Sequence, residues 1–145
     1  MCLTFITGVA QVYCMKVVLI GVGQAGGKVT QALAEFDYDM GFGAVQGAFA
    51  VNTATTDLQE LDIDTMLIGQ SRVKGHGVGG DNELGAEIMA EEATEVMDEI
   101  GQRIATDVEA IMVVAGLGGG TGSGGAPALA KELGRIYDVP LYTLG

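Results

Sequence analysis

Apolar residues fall into five short runs, each too short for a helix and rich in aliphatic side chains. Residues 16–20 (KVVLI), 48–51 (AFAV), 65–68 (TMLI), 110–115 (AIMVVA) and 139–144 (VPLYTL) are nearly continuous rather than alternating, which predicts strands buried on both faces. Between most of them the pattern changes to helical spacing. Residues 29–36 and 127–137 each follow a glycine cluster, and 57–61 make one short turn. Residues 83–104 predict a long helix with Leu84, Ile88, Ala93, Val96, Met97, Ile100 and Ile104 on one stripe. Alternation of strand and helix predicts an α/β fold, a parallel sheet with helices on both faces. Ligands of such sheets sit beyond the carboxyl ends of the strands.

The polar side of the long helix is acidic: Glu83, Glu87, Glu91, Glu95 and Glu99 follow one another four residues apart. Like charges at that spacing cost a few tenths of a kcal/mol per pair. A solvated face in a salt-rich cytoplasm is the expectation, with a partner-binding face as the alternative. Over the whole chain, 19 Asp and Glu against 7 Lys and Arg give a net charge of -12. That excludes non-specific binding to nucleic acid or anionic membrane, which requires basic side chains against phosphate. A chain of 145 residues that is 48% hydrophobic can build one core and is not disordered. No apolar run reaches the ~18 residues that span a bilayer, so no direct membrane insertion is expected.

Residues 1–14 stand outside this pattern and read as a leader or a mis-assigned start ahead of Met15; residues 15–145 carry the fold. The leader has no basic residue before its apolar stretch, which argues against a secretory signal. Both cysteines, Cys2 and Cys14, lie in it. A disulfide framework is not expected, and a reducing cytoplasm is.

Of the 24 glycines, most lie in three stretches, 21–27, 69–85 and 116–125, all at the predicted carboxyl edge of the sheet. The first, GVGQAGGK, sits between a strand and a helix and satisfies G-x-G-x-x-G, the phosphate loop of Rossmann-like folds. Lys28 stands one residue late for a P-loop, and Val29 occupies the place of the magnesium-binding Ser or Thr. A dinucleotide-binding oxidoreductase needs an acidic residue at the end of the second strand, where this chain has Asn52. The third stretch, GLGGGTGSGG, is glycine-rich beyond what a turn needs. Its backbone N–H groups can form a nest for an anion, with Thr121 and Ser123 adding hydroxyls.

The stretch GGGTGSG closely resembles the signature of the tubulin/FtsZ superfamily, and the wording GQAGGK of the first loop looks most like the archaeal tubulin-like CetZ proteins. The segment 50–53 resembles the family's second nucleotide loop and 69–83 its third, so the resemblance covers essentially 15–145. It implies a GTP-binding domain for a cytoskeletal GTPase acting in cell shape or division. GTP or GDP, with Mg2+, would lie against Gln24, Ala25, Gly26, Gly27 and Lys28 on one side and Gly119, Gly120, Thr121 and Gly122 on the other. Asn52, Gly79, Gly80 and Asp81 would close the γ-phosphate side. Asp81 and Glu83 suit water-mediated magnesium contact or, more simply, helix capping. His76 is expected to be a mobile-loop residue. The family also implies a cytoplasmic head-to-tail homopolymer with an active site shared between subunits.

The resemblance further places the guanine-contacting and water-activating segments beyond residue 145. No residue up to that point qualifies as a general base, so weak nucleotide binding without hydrolysis is expected of this chain. Two other readings are an NAD-binding oxidoreductase domain and a non-catalytic filament-capping regulator.

Overall fold

The computed structural model describes residues 2–7, 9–104 and 107–145, with side chains from Cys14 onward. Ahead of the main sheet, β1 (Cys2–Thr7) and β2 (Val9–Cys14) form an antiparallel hairpin whose register sets Cys2 opposite Cys14. Cys14 is disulfide-bonded, which corrects the expectation of no disulfide: pairing in the hairpin register, invisible in the spacing of the cysteines, brings their backbones together.

The five apolar runs become β3 (Val17–Val22), β4 (Val45–Asn52), β5 (Asp64–Leu67), β6 (Ala110–Ala115) and β7 (Leu141–Leu144), a wholly parallel sheet in the order β5-β4-β3-β6-β7. From β3 the chain passes through α1 (Gly23–Met40) to β4 and through α2 (Thr55–Gln59) to β5 at one edge. It returns through α3 (Gln70–Val73), α4 (Asn82–Glu91) and α5 (Ala93–Arg103) to β6, and α6 (Gly120–Ile136) leads to β7 at the other edge. Strand order therefore reverses at β3, where an open α/β sheet forms its ligand crevice. Val22 pairs with both Val51 and Ala115, so the carboxyl ends of the three central strands are level at that crevice.

Alternate residues serve the two faces of the sheet. Val18, Ile20, Val22, Phe49, Val51, Ile111 and Val113 join Ile88, Met89, Val96, Ile100, Leu129 and Leu133 of α4, α5 and α6 in the main core. Each fully buried aliphatic side chain contributes roughly 1.5–3 kcal/mol by leaving water. On the other face α1 lies close to β3, β4 and β6 and buries Gly26, Gly27 and Thr30. A Cβ on Gly26 would collide with the backbone carbonyl of Val114, so this helix can approach the sheet only through glycine.

Two helix starts differ from expectation. α1 begins at Gly23 rather than residue 29, and α6 at Gly120 rather than residue 127, so both glycine loops continue into the first turns of their helices. Glycine costs ~1 kcal/mol and proline ~3 kcal/mol relative to alanine inside a helix. α6 contains several glycines and Pro127, so local propensity opposes it. Packing overrides that preference: Leu129 and Leu133 are fully buried, and α6 crosses α4 where Gly85 and Gly124 let the backbones meet.

The long helix of residues 83–104 is two helices, broken at Glu92, whose carboxylate accepts the Gly69 N–H at 2.8 Å. Its acidic ladder is partly met within the chain. Arg72 pairs with Glu87 at 3.0 Å and Glu91 at 2.5 Å, and Arg103 with Glu99 at 2.5 Å. Hydrogen bonding by Glu87, followed by the charge of Glu91, raises the Arg72 pKa above its ordinary value. Pairs this exposed are screened by solvent, but they place cations beside the ladder and relieve part of its repulsion.

Candidate functional site

A cavity of about 460 Å³ opens at the level carboxyl ends of the central strands, within the size range of small-ligand sites. Three walls form it. The first is the Val22 to Ala25 turn into α1, the second runs from Asn52 to Asp57 after β4, and the third is the glycine loop after β6. A flap of residues 76–80 faces them and is tied to the second wall: Gly77 N donates to Thr53 O at 3.1 Å, and Ala54 bridges with His76.

Close backbone approach explains why the first and third walls are glycine. Gly23 has φ of 77°, a conformation open to glycine but strained for other residues, and a Cβ there would lie 2.9 Å from Gly122 N. A Cβ on Gly122 would lie 2.7 Å from Gly116 O and 3.1 Å from Val22 O. The buried hydroxyls of Thr53 and Thr121, 2.7 Å apart, clip the second wall to the third.

α1 and α6 point their N-termini into this cavity. Neither has a side-chain N-cap or an acidic residue in its first turn, so the opening N–H groups of both helices have no acceptor in their own helix and the positive ends of both dipoles stay uncompensated. α4 is the contrast: Asp81 accepts the Leu84 N–H at 3.0 Å, and Glu83 occupies the first turn. Among the described residues no Lys or Arg lines the cavity. In a chain of charge -12, two helix ends thus make a local anion site from backbone alone.

Of the residues singled out in the sequence, Gln24, Ala25, Asn52, Gly79, Gly80, Gly119, Gly120, Thr121 and Gly122 line the cavity. Gly26 and Gly27 instead lie buried between α1 and the sheet. Lys28, the next residue of α1, pairs with Glu60 at 2.9 Å, and that hydrogen bond raises its pKa. Asp81 caps α4 and does not line the cavity. His76 does line it.

Asp57 was not among the residues singled out from the sequence. Its Oδ1 accepts the Gln24 side-chain amide at 3.0 Å and its Oδ2 the Asn52 amide at 3.1 Å, while Asn52 Oδ1 accepts Thr53 N at 2.8 Å. Only its place five residues after Asn52, on the first turn after the strand, pointed to the cavity. Among the described residues no three His, Cys, Asp or Glu side chains gather into a metal site. A divalent cation here would need ligands from a bound anion and water, the usual arrangement for Mg2+ with phosphates.

Residues 16–144 match the family model described as tubulin/FtsZ family, GTPase domain. The chain belongs to the tubulin/FtsZ family. Within it, the domain is similar to the tubulin-like protein CetZ2 of Haloferax volcanii, with 64% identity over 90% of this chain and 36% of CetZ2. CetZ1 of the same organism is 56% identical over 90% of this chain and 34% of its own length. The solved structure of CetZ2 as a GTPγS-bound protofilament superposes with a TM-score of 0.89 over 90% of this chain and 39% of that one. CetZ1 as a GDP-bound monomer gives 0.88, over 90% and 41%. An empty FtsZ dimer from M. jannaschii, 30% identical, gives 0.70 over 86% of this chain and 34% of its own. The chain spans about a third of the length of the curated relatives it matches. This tubulin/FtsZ domain is thus CetZ-like in sequence and in fold, and neither an oxidoreductase nor a filament-capping reading gains support.

Proposed function

We propose that the cavity binds the polyphosphate of GTP or GDP and that the domain serves a CetZ-like cytoskeletal protein. The observation that carries this reading is the convergence of two uncapped helix N-termini on one cavity whose described lining has no Lys or Arg. Backbone N–H groups from Gln24 and Ala25 on α1, and from Gly120, Thr121 and Gly122 on α6, would bond phosphate oxygens, with the Thr53–Thr121 clip holding the walls in register. The GTPγS and GDP carried by the CetZ2 and CetZ1 structures support guanine as the base. Mg2+, held by the phosphates and water, would neutralise their charge. Among the described residues no helix is long and apolar enough to cross a membrane, and the acidic surface disfavours nucleic acid as a partner.

The same reading makes the full protein a cytoplasmic head-to-tail homopolymer that influences cell shape or division, with residues 15–145 as its nucleotide-binding part. The Cys14 disulfide lies outside the cavity lining. The lining offers one carboxylate, Asp57, and both its oxygens already accept hydrogen bonds. The chain is therefore a binder of nucleotide rather than a hydrolase by itself. Equilibrium binding of a fluorescent GTP analogue to the 145-residue chain should saturate, yield to unlabelled GTP and GDP, and resist NADH. Phosphate release should stay at the protein-free level. Displacement by NADH but not GTP would sink the nucleotide assignment, and steady phosphate release would sink the claim of inactivity.

A further inference from the structure

Among the described residues, Asp57 is the one acidic side chain in the lining of the cavity proposed to take an anion. It is not a bystander there, because each carboxylate oxygen accepts a different side-chain amide of the lining, Gln24 at 3.0 Å and Asn52 at 3.1 Å. The Asn52 orientation follows from its surroundings: the Thr53 backbone N–H needs an acceptor, so Oδ1 faces it at 2.8 Å and Nδ2 must face Asp57. Thr53 is itself fixed to Thr121 on the third wall. Asp57 stands in the first turn of the short helix α2, which carries it to the mouth of the cavity.

Resting on the nucleotide reading above, we infer that Asp57 competes with phosphate for the Gln24 and Asn52 amides and so acts as a carboxylate gate that lowers polyphosphate affinity. A phosphate that takes either amide must break a charge-assisted hydrogen bond, and it does so beside a like charge, because Lys28, the cation whose charge interacts with Asp57, is itself paired with Glu60 at 2.9 Å. The backbone N–H groups of α1 and α6 are untouched by this competition. The gate therefore scales affinity without abolishing the site, and it favours ligands with enough phosphate charge to displace the carboxylate.

The test measures GTP and inorganic tripolyphosphate binding to the 145-residue chain by calorimetry in EDTA, where no divalent cation can bridge Asp57 to phosphate. Asp57→Asn, which keeps the shape and removes the charge, is expected to bind both ligands about fivefold or more tightly than wild type, and Asp57→Ala to change in the same direction. Equal or weaker binding by both variants would overturn the gate while leaving the nucleotide reading intact. Binding by none of the three chains would overturn both. A second measurement needs no variant. During titration of the wild-type chain with GTP, the side-chain NH2 resonances of Gln24 and Asn52 should shift in step with saturation; saturation that leaves both unmoved would equally overturn the gate.

Discussion

Gly26→Ala is expected to destabilise the chain by about 3 kcal/mol, the upper end of the cost of overpacking a tight interior. The new methyl would collide with the Val114 carbonyl and lie 3.2 Å from Ala115 Cα. Both are backbone atoms of β6, which is hydrogen-bonded on both sides, to β3 and β7. A side chain in that place could turn away, whereas a central strand can yield only by moving α1 off the sheet. Against a usual total of 5–15 kcal/mol the loss is large and should appear in urea melts as a lowered midpoint. Alanine's better helix propensity, worth ~1 kcal/mol, is too small to compensate. A midpoint within experimental error of wild type would mean that α1 does not lie this close to the sheet.

Gly122→Ala should separate binding from folding. The residue lies in the first turn of α6, where alanine's propensity returns ~1 kcal/mol of the overpacking cost, so stability should fall less than in Gly26→Ala. The methyl nevertheless enters the seam between the first and third walls, 2.7 Å from Gly116 O and 3.1 Å from Val22 O. To admit it the loops must part, and the N–H groups of α1 and α6 no longer converge on one ligand. A cost of ~1–3 kcal/mol placed on the bound geometry corresponds to roughly ten- to hundredfold weaker GTP binding. Paired thermal melts and binding isotherms check both halves. Unchanged affinity would show that the walls need not touch at Gly122 for the site to work.

The parts of this fold legible in the sequence were those set by short-range pattern. Continuous runs such as AIMVVA become buried strands because both faces of a parallel sheet are covered, and glycine clusters mark the strand ends where chain and ligand crowd together. The helix starts were hidden for the same reason. Glycine is a poor helix former, so the loops read as ending at residues 29 and 127, while tertiary packing starts α1 at Gly23 and α6 at Gly120. The third cluster has a divided role that no one-dimensional reading separates: Gly119, Gly120 and Gly122 line the cavity, whereas Gly124 permits the crossing with α4.

Side-chain direction was the least legible. Lys28 reads as a phosphate ligand by proximity to the loop, yet Glu60 on the neighbouring segment holds it. Asp57 begins the short turn read at residues 57–61, and its carboxylate joins two walls of the site. Such pairings depend on which elements become neighbours, and only the sheet order decides that.

The uncapped N-termini of α1 and α6 together bind one polyphosphate in the proposed function. The most direct measurement is an amide chemical-shift titration of the isotope-labelled chain with GTP. Saturating shifts should be largest at the backbone amides of Gln24, Ala25, Gly120 and Thr121, with those of α5 and β7 little changed. Saturation that leaves those four amides unmoved would contradict it.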